Sequence, residues 1–309
     1  MTAASDWDPR ALPSLAGRTV VVTGGNAGIG YFTSEQLAGA GARVVIAGRS
    51  AEKAELAMRA IRERVPEAQL AHVALDLTSL GSVRAAAEEL AAFRPLHGLV
   101  NNAGRVVASR RRLETADGFE LTVGGNFLGH FALTTLLFPA LADGGRVVGL
   151  GSDSTRMVRL DPEDLWSERR YRPFRAYGFS KHAVQAFHLE LARRLTAAGD
   201  SRMSLLAHPG WATNSYASKR PGITDRDPVG GRVFETLTGW IGQGKDQGAW
   251  PAVRAVADPD AVNGMYFGPR RQLSGVPVPT SPVASSADPA FGAALWADAE
   301  EKTGIRFPL

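Results

Sequence analysis

The sequence predicts a doubly wound α/β fold, a parallel sheet with helices on both faces. Three observations lead there. Strand-like and helix-like segments alternate from residue 18 to residue 207. The strand-like runs are continuous in Val, Ile and Leu rather than alternating, which marks strands covered on both sides. The first run enters a glycine turn, Gly24-Gly25-Asn26-Ala27-Gly28-Ile29-Gly30, that opens a helical pattern.

The elements follow in order. Arg18 to Thr23 is a short β-branched strand, and the helix after the glycine turn closes at Gly39-Ala40-Gly41. Arg43 to Ala47 is the second strand, Ala51 to Val65 a helix, and Leu70 to Leu75 the third strand. Leu80 to Phe93 is an Ala/Glu-rich helix, and Leu96 to Val100 a strand ending at Asn101-Asn102-Ala103-Gly104. A long helix around Gly118 to Leu141, a strand Gly145 to Leu150, a helix around Tyr177 to Ala198 and a strand Met203 to Ala207 complete the core. From Pro209 to Gly231 Gly, Pro, Ser and charge prevail without periodicity, the composition of a functional lid or a loop. Helical patterns return at Val233 to Ile241 and Gly248 to Ala257, and Met265 to Phe267 is a last short strand. Pro269 to Pro289 is rich in Pro and Ser, and Ala290 to Lys302 is a final helix. A single domain is expected over residues 1–309, with its core at about 15–270, a lid at about 209–245 and a C-terminal extension at about 269–309.

Composition excludes several classes of function. The 309 residues are 44% hydrophobic and 21% charged, as in soluble globular chains. No cysteine is present, which removes disulfides, thiolate metal sites and a cysteine nucleophile, and suits a reducing cytosol. The net charge is only +4, and the runs Arg110-Arg111-Arg112 and Arg169-Arg170 carry no interleaved aromatics, so nucleic acid is not an expected partner. No His, Asp and Glu residues share metal-ligand spacing, so no metal is expected. The opening residues are acidic without an apolar run, unlike a signal peptide. The longest apolar stretch, near His130 to Ala142, reads as too short to span a membrane and contains Pro139. A cytoplasmic protein is the expectation. Oligomeric state is not legible, and a homodimer or homotetramer stays open.

A glycine turn between strand and helix aims backbone N–H groups and the helix's positive end at a phosphate. The end of the second strand selects the nucleotide. An acid there would bind a ribose 2′-hydroxyl and repel a 2′-phosphate. The chain instead has Ala47-Gly48-Arg49-Ser50, and a guanidinium pairs well with phosphate, so NADP(H) is expected over NAD(H). Tyr177 and Lys181 lie four apart on a helix and share a face. That spacing suits a phenol acid beside an ammonium that lowers its pKa from about 10.

Thr23-Gly24-Gly25-Asn26-Ala27-Gly28-Ile29-Gly30 resembles the fingerprint of the short-chain dehydrogenase/reductase family. Asp76-Leu77, Asn101-Asn102-Ala103-Gly104, a serine after the fifth strand and Tyr177-x-x-x-Lys181 follow in the family's order. The resemblance covers about residues 15 to 270 and implies a Rossmann fold. It implies that Thr23, Gly24, Asn26, Gly28, Ile29 and Gly30 hold the dinucleotide, with Asn102, Ala103 and Gly104 beside it. Asp76 and Leu77 would meet the adenine, although Asp76 is also placed to cap the next helix, a task Thr78 or Ser79 can take. Pro209 and Gly210 would pass over the nicotinamide and Thr213 would touch its carboxamide. Asn101 would stabilise the sheet. Position 27, often Ser or Thr in relatives, is Ala27 here.

The resemblance also implies a catalytic set of Asn126, Ser152, Tyr177 and Lys181, with Tyr177 and Lys181 also touching the cofactor. Tyr177 gives or takes the proton, Ser152 binds the substrate oxygen, Lys181 lowers the tyrosine pKa and binds the nicotinamide ribose, and Asn126 holds a relay water. Relatives usually carry Ser-Ser where this chain has Gly151-Ser152, and Ser154 is the rival candidate. His208 and His130 read as structural.

Asp117-Gly118-Phe119-Glu120, Asn126 to Phe131 and His208-Pro209-Gly210 resemble the retinol-dehydrogenase and protochlorophyllide-reductase-like branch. Leu15 to Thr19 and the tail from Leu295-Trp296 to Phe307 agree. The resemblance implies reduction of a carbonyl or oxidation of an alcohol, and the Ala/Arg/Gly-rich composition suits a bacterial chain of secondary metabolism. Trp211, Tyr216, Phe234 and Trp240 point to a bulky apolar or aromatic substrate, or to core packing. Arg156, Arg159 and the arginine run at 110–112 would instead favour an acidic one. The competing functions are a non-reductive step on the same site, epimerisation or dehydration, and a nucleotide sensor without catalysis.

Overall fold

A computed structural model describes residues 7–224 and 242–309. Six parallel strands form its centre: β1 (Thr19–Thr23), β2 (Arg43–Gly48), β3 (Leu70–Ala74), β4 (Leu96–Asn101), β5 (Leu141–Leu150) and β6 (Met203–Ala207). β7 (Ala212–Thr213) and β8 (Gln243–Gly244) form a separate two-stranded pair. β9 (Tyr266–Pro269) and β10 (Pro277–Thr280) extend the main sheet, whose order is β10-β9-β6-β5-β4-β1-β2-β3. The chain therefore reverses direction across the sheet between β1 and β4, and ligands of such folds bind in the crevice at that point.

Successive strand residues point to opposite faces, and both faces are covered. Val21, Val45 and Val147 pack beneath α3 (Leu80–Ala91), α4 (Leu121–Ala140), α5 (Pro173–Ala198) and α7 (Pro289–Thr303). Val20, Val22, Val44, Ile46 and Val148 pack beneath α1 (Gly28–Gly39), α2 (Ala51–Arg62) and α6 (Trp250–Ala257). No strand can alternate polar and apolar residues under that constraint, hence the unbroken runs.

Two elements and the reading of one apolar stretch differ from the sequence expectation. The segment from Pro269 to Pro289 contains β10, which pairs antiparallel with β9. Its prolines 277 and 279 lack N–H groups and hide the strand from pattern reading, yet an edge strand tolerates them. The fifth strand starts at Leu141 rather than Gly145. The long helix α4 reaches 20 residues with mean hydropathy 1.3, longer than its apolar stretch suggested, but 89% of that window is buried inside the protein. Length and composition pass the test for a membrane span; burial marks a core helix. Pro139 lies in its last, 3₁₀ turn.

The C-terminal extension closes one face of the core. Trp296 and Phe307 stack at 4.7 Å and pack on Phe131 and Phe187. The helix expected at Val233 to Ile241, with Phe234 and Trp240, lies outside the described residues. So does the middle of the expected lid.

Candidate active site

The crevice at the carboxyl ends of β1, β2 and β4 is a cleft of about 660 Å³. Gly24, Asn26, Gly28, Ile29 and Gly30 line it, as do Arg49, Asp76, Leu77, Asn102, Ala103, Gly104 and Asn126. These expected nucleotide residues are thus gathered around one cleft, whereas Thr23, Tyr177, Lys181, Pro209, Gly210 and Thr213 are not among the residues lining it. The glycines are sterically required. Gly24 and Gly28 take φ of +65° and +56°, a region that favours glycine. A side chain on Gly30 would collide with the Asn102 amide and the Gly24 carbonyl. α1 opens here without a side-chain cap on Ala27 and without an acid in its first turn, so its positive end stays available.

Thr23 departs from the expectation. It is fully buried and is not among the residues lining the cleft. Its hydroxyl accepts from the Asn102 and Ala103 amides (3.0 Å each) and lies 3.2 Å from the Val100 carbonyl and 2.9 Å from His130 Nε2, the two acceptors within reach of its one proton. The Asn102 side chain in turn donates to the Thr23 carbonyl at 2.7 Å. Thr23 therefore ties β1 to β4 and fixes the two loops that form the cradle. Asn101 is also inward, donating to Thr134 at 2.9 Å.

Asp76 stands at the far end. Ser79, not Asp76, caps α3. Burial pushes the Asp76 carboxyl up, but two hydrogen bonds from Thr78 and the charges of Arg49 and Arg105 outweigh it, and the net direction is down. The carboxylate is held charged.

Of the four catalytic candidates Asn126 lines the cleft and Lys181 reaches it beside Gly104. Ser152 lies near enough to Tyr177 for its hydroxyl to act on the phenol, and it accepts from the Ser154 amide at 3.1 Å. Ser154 is buried and its hydroxyl makes no hydrogen bond among the described residues. Lys181 donates to the Leu150 carbonyl at 2.7 Å, with its ammonium 5.8 Å from the Tyr177 ring centre. Burial lowers the Lys181 pKa to about 8. Burial raises the Tyr177 phenol above its ordinary pKa, and the Ser152 hydroxyl only partly offsets this. Asn126 lies in a π-helical turn of α4, Gly124–Leu128; such turns are frequent at functional sites. It accepts from the Arg105 amide at 3.0 Å and donates to Ser180 at 3.0 Å. Lys181 Nζ and Asn126 Oδ1 lie 3.4 and 3.5 Å from where a side chain on Gly104 would begin, so both tips reach the cleft wall together.

Gly151 has a physical reason. A side chain there would begin 2.7 Å from the Tyr266 hydroxyl, which fills that space. Beyond it, Thr213 pairs with Gly244 across β7 and β8. The Thr213 hydroxyl is buried and makes no hydrogen bond among the described residues. Gly210 takes φ +63° beside the Leu273 carbonyl, and Pro209 precedes it. His130 is a buried packing residue between Thr23 and the Asn126 carbonyl, and burial depresses its pKa to about 4, so it is neutral.

The family profile described as short chain dehydrogenase matches residues 18–221. The chain belongs to the short-chain dehydrogenase family. Polyprenol dehydrogenase of Mus musculus is 37% identical over 309 residues, covering 97% of this chain and 88% of that one. Retinol dehydrogenase 11 of Homo sapiens is 42% identical over 199 residues, covering 63% of this chain and 61% of that one. These relatives set the chain in the retinol-dehydrogenase-like branch. An uncharacterised protein of Mycobacterium paratuberculosis superposes with TM-score 0.78 at 36% identity, covering 98% of this chain and 99% of the other. A Burkholderia cenocepacia short chain dehydrogenase in complex with NADP superposes with TM-score 0.63 at 25% identity, covering 82% and 96%.

A nicotinamide cofactor is thus implied by family, and the residues present fit one. A side chain on Gly30 would clash, Gly24 and Gly28 take positive φ, α1 offers an uncapped N-terminus, and Thr213 holds a buried hydroxyl without a partner among the described residues. Sequence reading of this short-chain dehydrogenase missed part of the cleft: Lys53, Leu56, Arg105, Asn214, Gly222, Ile223 and Lys245 also line it. Lys53 and Leu56 were within reach, since they face the cleft one turn into α2. Asn214, Gly222, Ile223 and Lys245 carried no local signal.

Proposed function

We propose that this chain is an NADP(H)-dependent oxidoreductase acting between the carbonyl and alcohol forms of a bulky apolar substrate. The carrying observation is that Lys181 and Asn126 meet beside Gly104 at the cleft wall, with the Tyr177 ring centre 5.8 Å from the Lys181 ammonium and Ser152 acting on Tyr177. The glycine turn and α1 would hold the diphosphate, Asp76 and Leu77 the adenine, and Arg49 the 2′-phosphate. Lys181 and Tyr177 would hold the nicotinamide ribose, and Pro209, Gly210 and Thr213 would border the ring. When bound, the nicotinamide supplies or accepts the hydride.

In the reductive direction the raised Tyr177 phenol keeps its proton at neutral pH. It gives that proton to the substrate oxygen as negative charge develops there. Ser152 donates a hydrogen bond to the same oxygen. The Lys181 ammonium, charged below about pH 8, stabilises the phenolate left behind. Asn126 is fixed beside Lys181, where it orients a water that returns the proton.

Support for NADP(H) is the absence of an acid at the end of β2, where Arg49 and Lys53 line the cleft instead. The Burkholderia relative holds NADP. Support for an apolar substrate comes from Met157, Phe174 and Trp211, exposed side chains on the segments that carry Ser152, Tyr177 and Thr213. Polyprenol and retinol, named in two relatives, are apolar isoprenoid alcohols.

The test is NADPH oxidation with isoprenoid, aryl and short-chain aldehydes, with NADH as comparator. Tyr177→Phe should lower turnover by about 10²- to 10⁴-fold while NADPH affinity holds. Unchanged turnover in that variant would refute the assignment.

A further inference from the structure

The glycine turn is faced across the cleft by a lysine remote in sequence. Lys245 lines the cleft together with Gly24, Asn26 and Gly28, and its Cδ lies 3.8 Å from where a side chain on Gly28 would begin. Among the described residues, no carboxylate lies within the 4.0 Å ion-pair distance of its ammonium.

The base of this lysine is fixed. Gly244, just before it, pairs with Thr213. The Asp246 carbonyl accepts from Gln36 of α1 at 2.8 Å, and the Asp246 carboxylate accepts from Ser218 at 2.6 Å. The segment before it is also held to α1, because Arg220 forms a two-pronged pair with Glu35 at 2.6 and 2.7 Å. The helical turn Lys245–Gly248 is thereby pressed on α1, and the lysine stem extends over the turn where that helix begins.

Two positive features then meet at the start of α1, its uncapped end and the Lys245 side chain, whose Cδ lies 3.8 Å from where a side chain on Gly28 would begin. A single phosphate would satisfy either. A diphosphate has charge for both. We infer that Lys245 binds the diphosphate of the dinucleotide from the outer side of the cleft, opposite the glycine turn. The inference rests on the cofactor reading above. Arg49 and Lys53 lie at the β2 corner and would serve the 2′-phosphate, so the two anionic groups have separate cations. Lys245 also follows directly on the strand pair that holds Thr213, so diphosphate capture at one end of this segment sets the other end against the nicotinamide.

Equilibrium affinities for NADPH, NADH and adenosine 2′-monophosphate separate the alternatives, measured by calorimetry on the full chain. Lys245→Ala should weaken NADPH and NADH by the same factor, about tenfold or ~1.4 kcal/mol, and leave the monophosphate unchanged. Lys245→Arg should restore most of the loss, and Lys245→Gln, which keeps the stem packing, should not. Arg49→Ala should show the complementary pattern, weakening NADPH and the monophosphate but not NADH. Wild-type affinity of Lys245→Ala for both dinucleotides overturns the inference, as does a loss confined to NADPH and the monophosphate. A wild-type chain that binds neither dinucleotide overturns the cofactor reading itself.

Discussion

Replacing Lys181 with methionine tests the electrostatics of the site apart from catalysis. Lys181 is buried, and burial lowers its pKa from 10.5 to about 8. That displacement corresponds to ~3.4 kcal/mol between the charged and neutral forms, at about 1.36 kcal/mol per pH unit. The unfolded chain binds this proton more tightly than the folded one, so stability rises with pH between about 8 and 10.5. At pH 7 almost the whole penalty, ~3 kcal/mol, falls on the folded state; near pH 9.5 about 1.4 kcal/mol remains. Methionine carries no such penalty but leaves the Leu150 carbonyl without its donor, which costs about 1–3 kcal/mol at any pH. Lys181→Met without cofactor should therefore be as stable as wild type or more so at pH 7, despite losing turnover. From pH 7 to about 9.5 the wild type should gain ~2 kcal/mol relative to the variant. Urea denaturation at the two pH values measures the change. A stability difference that is the same at both would show that Lys181 is not held below its ordinary pKa, and the argument for a strained ammonium would fail.

Two further substitutions probe the scaffold. Gly30→Ala should abolish dinucleotide binding and lower stability by about 2 kcal/mol or more, because the new methyl meets the Gly24 carbonyl and the Asn102 amide; calorimetry and melting report both. Gly151→Ala should cost about 1–3 kcal/mol through the Tyr266 hydroxyl, and adding Tyr266→Phe should recover part of it. Strict additivity in that pair would disprove the clash.

The branched runs in β1, β2 and β5 announced strands buried on both sides, since a strand between two helix layers is apolar on both faces along most of its length. The glycine turn and the Tyr177–Lys181 pair were equally legible, because each encodes its geometry within a few residues. Thr23 shows the limit of such reading. The motif fixes where it stands in the chain, but what its hydroxyl meets depends on β4, some eighty residues on. β10 carried prolines in place of a strand pattern, and β7 and β8, two residues each, are too short for any period to show.

The sequence by itself determined the layer architecture, the cradle and the four catalytic candidates, because those depend on local spacing and on periodicity set by two-sided burial. Tertiary structure alone decided what closes the cleft from outside. Lys245 acquires meaning only when Gln36 and Glu35 of α1 draw a segment some two hundred residues away onto the glycine turn. A lone lysine in an aperiodic stretch has no pattern to read; the field it feels, and the ligand it can hold, are properties of its neighbours in space.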